Sequence, residues 1–108
     1  MVTSDWSRRT AVATAQAIVR AELSLIEGCI RLASLAHDLV PDWAADEDFV
    51  VFGVLASETD HLPTGSARQF WNPAALERED REIARIEASA KQEVLAACAN
   101  VIARFGDA

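Results

Sequence analysis

The chain has 108 residues, 51% of them apolar, and a formal charge of −7 at neutral pH. That length fits one domain with one hydrophobic core, and the apolar content excludes a disordered chain. The acidity argues against a nucleic-acid binder, which needs a basic face to displace counterions, and suits a solvated protein or one that meets a basic partner.

Alanine is abundant and tyrosine absent, a mixture that favours helix nearly everywhere. The expected fold is all-α: a single domain over residues 1–108, four-helix bundle-like, with a long C-terminal helix. Lys91 is the only lysine, and this arginine- and alanine-rich usage points to a GC-rich bacterial genome. No signal-peptide pattern opens the chain, and its longest apolar run is too short to span a bilayer, so the expected location is cytoplasmic, without membrane association.

The first helix is expected to begin after Thr3 or Ser4 and to run to about Ala21, with Val12, Ala15, Ile18 and Val19 as its apolar stripe. Ser24 either caps a second helix or lies within a continuing first one. Leu25, Ile26, Cys29, Ile30, Leu32, Ala33, Leu35, Ala36 and Leu39 then recur at three- and four-residue spacing. Gly28 interrupts this pattern at a cost of about 1 kcal/mol and marks a close approach of another backbone. Cys29 and Cys98 read as two buried free thiols, with a disulfide as the alternative.

Pro41 stops the second helix. Asp46 is a good N-cap, and Glu47 and Asp48 sit favourably on the positive end of the dipole that follows. Phe49 to Ala56 reads as a short helix, apolar nearly all round and therefore central, with a buried strand as the rival reading. Trp6 and Trp43 read as lids on the core. Asn72-Pro73 is a strong helix start, and no breaker follows until Gly106. Leu76, Ile83, Ile86, Ala90, Val94, Ala97, Val101 and Phe105 trace the inner stripe of this last helix. Its first half, Glu77 to Glu93, is dense in both signs of charge, either as a solvated face or as a projection that meets another chain.

The segment Ser57-Glu58-Thr59-Asp60-His61-Leu62-Pro63-Thr64-Gly65, continued by Arg68 and Trp71, gathers the most varied polar chemistry in the chain. It is long for a helix–helix link, and such loops tend to be functional or packed on themselves. As plain structure, Glu58 and Asp60 form an ion pair with Arg68, Pro63 and Gly65 supply the turn, and Leu62 and Trp71 cover the end of the core. As a metal site it would use His61 with Asp60, Glu58 and His37, but no H-x-x-x-H or C-x-x-C spacing supports this, and neither metal nor cofactor is expected. As an acid–base site it would pair His61 with Glu58 or Asp60, leave Arg68 to hold an anion, and offer Ser57 or Thr59 as nucleophile without any activating motif. As a recognition loop it would present a polar, aromatic-flanked surface to a partner. Glu27, beside Gly28, is expected exposed and paired with Arg31; turned inward, it would be a buried acid facing this loop.

The motif S-E-T-D-H-L-P-x-G-x-x-R, with Trp71 and with Glu27-Gly28 upstream, resembles a pattern in a family of small uncharacterised bacterial proteins. The resemblance spans about residues 20 to 90. That family has no assigned reaction, so the resemblance implies no catalytic residue, only that the loop and Glu27-Gly28 form a unit.

The leading functional expectation is a small acidic cytoplasmic protein-interaction module, of the immunity or regulatory kind, that binds another, basic protein. Its contact residues come from Glu27, Ser57, Glu58, Asp60, His61, Arg68 and Trp71, and self-association through the fourth helix is a further option. The alternative is a ligand-binding or hydrolytic acid–base site built on Glu58, Asp60, His61 and Arg68.

Overall fold

The computed structural model describes residues 4–60 and 65–106. Four α-helices, α1 (Ser4–Val19), α2 (Leu25–Leu39), α3 (Glu47–Glu58) and α4 (Pro73–Phe105), are joined with two 3-10 turns at Trp43–Ala45 and Gly65–Phe70. Residues 49–56 are thus helical, and no strand occurs among the described residues.

Each boundary has a local cause. Ser24 caps α2 by accepting the Glu27 amide (3.1 Å), which separates it from α1. Asp46 Oδ1 accepts the amides of Asp48 (3.0 Å) and Phe49 (3.3 Å), and Asn72 Oδ1 accepts that of Ala75 (2.8 Å), with Pro73 in the first helical position. Side-chain acceptors of this kind satisfy amides that have no carbonyl one turn back. The first helix closes on a Schellman motif in which Glu22 N–H reaches Ala17 O (2.8 Å) and Ala21 N–H reaches Ile18 O (3.0 Å). The residue that must turn left-handed there is Ala21, at φ 60°, where glycine is usual.

The helices run alternately up and down. Ser7 Oγ, at the start of α1, donates to Asp38 Oδ2 at the end of α2 (3.0 Å), and Arg104 near the end of α4 holds Asp46 and Asp48 at the start of α3. Thus α1 packs against α2 and α4, and α3 against the same two from the other side. Between them lie Ala11, Ala15 and Ile18 of α1, Ile26, Cys29 and Leu32 of α2, Phe49, Phe52 and Leu55 of α3, and Val94, Cys98 and Val101 of α4. Phe49 and Phe52 are fully buried and meet edge to face, with centroids 5.6 Å apart. Such a ring contributes about 2 kcal/mol by burial alone.

Two expectations about apolar residues are corrected. Trp6 is 65% exposed and is no lid, because its turn of α1 lies outside the stripe Ser7–Ala11–Ala15–Ile18 that faces the bundle. The third helix is not buried all round: Val50 and Val54 are exposed, since a helix with two neighbours keeps one face in water. Trp43 does cover the core edge, in edge contact with His37 (5.4 Å) and over Gly53, where a Cβ would lie 3.2 Å from its ring.

Gly28 marks a close approach, but to a side chain: a Cβ there would overlap Cγ1 and Cδ1 of Ile18. Both cysteines are free and buried. Burial pushes the Cys29 thiol up to about 12, helped by Cys98 and Glu87, and burial pushes Cys98 up to about 11. Thiols of this kind are packing groups, not nucleophiles.

Candidate functional site

The polar segment singled out in the sequence sits where α3 ends and α4 begins. Its first part finishes a helix. Thr59 is buried, and its hydroxyl donates to Leu55 O (2.8 Å), closing the last turn of α3. The Asp60 amide reaches back to Ser57 O (3.4 Å). This leaves the side chains of Ser57, Glu58 and Asp60 exposed at the rim of the bundle. His61, Leu62 and Pro63 lie outside the described residues.

Chain then returns through the 3-10 turn Gly65–Phe70. Arg68, expected to pair with Glu58 or Asp60, instead extends to α4 and grips Asp80 with both guanidinium ends (2.7 and 3.0 Å). The fork-to-fork geometry holds the Asp80 carboxyl below its ordinary range and raises the Arg68 guanidinium. This clamp fixes the turn along the opening of α4 and presents Phe70, 83% exposed, with Trp71 beside it at 36%. Trp71 therefore flanks the core instead of sealing it.

The same end of the bundle holds two clefts. One, of about 550 Å³, is lined by Glu58, Glu82, Arg85, Ile86 and Ser89, with Arg85 and Glu82 ion-paired across a turn of α4. The other, of about 820 Å³, runs between the α1–α2 turn and α4, past Leu23, Leu25, Lys91 and Leu95. At its edge Glu87 Oε2 accepts the Ile26 amide (3.4 Å), so a carboxylate of α4 sits on the positive end of α2. Glu27 lies in that first turn of α2, half-buried, and shows no ion pair with Arg31.

The structure thus brings Glu58 toward the start of α4 and Arg68 onto it, while Glu27 belongs to another corner of the same end. Among the described residues no three His, Cys, Asp or Glu side chains converge as metal ligands. Sequence reasoning missed Asp80, Phe70 and Glu87. Asp80 was hidden in a run of acids, Glu87 likewise. Phe70 carried a legible signal, a second aromatic beside Trp71 just before the helix start.

A family model described as protein of unknown function (DUF2489) matches residues 12–101, and the chain belongs to that family. No curated protein matches the chain, and no solved structure does.

Proposed function

We propose that this family member is a small acidic protein-interaction module of the cytoplasm, immunity-type or regulatory, that binds another protein chain through the end of the bundle where α4 begins. The observation that carries the reading is the exposed Phe70–Trp71 pair on a turn clamped by Arg68 and Asp80. Leaving a phenylalanine ring in water is unfavourable, and aromatic side chains held on a rigid support are the usual anchors of interfaces. The clamp removes part of the freedom that the turn would otherwise lose when a partner docks. Glu58 and Asp60 at the rim supply an acidic border that suits a basic partner and steers its approach. The absence among the described residues of a helix able to cross a membrane is in keeping with this role.

Affinity capture from native lysate with the intact chain and with Phe70→Ala/Trp71→Ala tests the reading. A stoichiometric partner retained by the intact chain and lost by the double variant is the expected result. Equal capture by a folded double variant would move the contact elsewhere on the molecule.

A further inference from the structure

Among the described residues the inner face of α4 joins the core cluster from Ile83 onward, which leaves residues 73–82 as a first stretch, an arm of roughly 15 Å at 1.5 Å per residue. This arm carries an outer face, turned away from the core stripe, made of Ala74, Glu77, Arg81, Ala84 and Ala88, all exposed. Glu77 and Arg81 lie one turn apart there, and neither makes an ion pair with a described residue. Within residues 73–82, Arg78 and Arg81 stand against Glu77, Glu79, Asp80 and Glu82, but the outer face holds one charge of each sign, Glu77 and Arg81, within a chain of net charge −7.

We infer that the partner on this face is a second copy of the chain, its α4 arm packed antiparallel against the first about a two-fold axis beside residue 79. The inference rests on the interaction reading and names the partner of the same site. In that register Glu77 of each copy faces Arg81 of the other, so the face is complementary to itself, as an isologous contact requires. The same register sets Ala74 against Ala84, where no bulky group holds the helices apart. Two molecules of charge −7 repel, and the outer face of the arm, formally neutral through Glu77 and Arg81, is where they approach at least cost.

Sedimentation of the purified full-length chain across a concentration series reaching the millimolar range tests this, with the single reversals Glu77→Arg and Arg81→Glu beside it. The intact chain is expected to dimerise. Each reversal alone sets like charges against each other twice and should weaken the dimer at least about tenfold. An equimolar mixture of the two reversed proteins makes every facing pair opposite again and should restore a one-to-one dimer, as should the double variant Glu77→Arg/Arg81→Glu. Circular dichroism and thermal melting of each variant verify that the fold is kept. A monomeric intact chain, or a mixture of folded variants that stays monomeric, would overturn the second copy. If capture from lysate still retains a Phe70-dependent partner in that case, the interaction reading survives its loss; if capture fails too, both fall.

Discussion

Replacing Gly28 with alanine sets two effects against each other within the α1–α2 contact. Alanine in a helix interior is favoured over glycine by about 1 kcal/mol. The added methyl, however, overlaps Cγ1 and Cδ1 of Ile18, while Leu23 Cδ2 at 3.5 Å would be in ordinary contact with it. Ile18 is 4% exposed, and a β-branched side chain in a helix has one strongly preferred χ1, so it has nowhere to swing. Overpacking of this kind costs about 1–3 kcal/mol, and with Ile18 buried the upper part of that range applies, for a net loss of about 1–2 kcal/mol. Ile18→Ala alone leaves a cavity and costs about 2–4 kcal/mol. In that background the obstruction is gone, the new methyl fills part of the void, and Gly28→Ala should become neutral or stabilising by up to about 1 kcal/mol. Urea denaturation of the four proteins, followed by far-UV circular dichroism, measures the coupling directly. An equal effect of Gly28→Ala in both backgrounds, or a stabilised single variant, would refute the close approach of these helices.

Two further outcomes follow from the helix ends. Ala21→Gly relieves the left-handed turn at φ 60° and should stabilise by about 0.5–1 kcal/mol, read as a raised denaturation midpoint; an unchanged or lower midpoint would remove the strain from that cap. Asp46→Asn keeps a good N-cap but deletes the charge that Arg104 holds, and it should cost about 0.5–1 kcal/mol at neutral pH. The Asp46 carboxyl lies below its ordinary value, chiefly through the Arg104 hydrogen bond. Its contribution is therefore complete above the unfolded value near pH ~4 and is lost as pH falls through the lower, folded one. The stability curves of the intact chain and the variant should converge in acid, and a gap that persists at the lowest pH would show that the charge is not the cause.

The legible parts of the fold were those written in neighbouring residues. Asn72-Pro73, Asp46 and Gly106 each set a boundary through local chemistry, Ser24 was one of two readings at its junction, and the inner stripe expected from Leu76 to Phe105 joins the described core from Ile83 onward. What sequence could not show was placement between elements. Trp6 looks like a core residue by size, but its burial depends on the angular position of its turn against α2 and α4. Arg68 had nearby acids in Glu58 and Asp60, yet chain direction through the 3-10 turn carries it to Asp80, a residue that looks like any other solvated acid on a charged helix. The end of the bundle was recognisable as unusual from its composition, whereas its anchor, Phe70, emerges only from exposure.

The ties between helices are distributed unevenly along the bundle. At one end Ser7–Asp38 ties α1 to α2, while Asn100–Asp48 and Arg104 with Asp46 and Asp48 tie α4 to the start of α3, where Phe49 packs against Phe105. At the other, the tie shown among the described residues in the first turns of α4 is the Arg68–Asp80 clamp, so the free energy of local opening is expected to fall along this helix from Val101 toward Pro73. A helix unbroken in geometry is thus two cooperative units in thermodynamics. Amide exchange near Val94 to Val101 reports global unfolding, whereas exchange at residues 73–82 reports fraying that leaves the bundle intact. Occupancy of the arm would register as slowed exchange in those turns alone, a signature separable from any change in the stability of the whole.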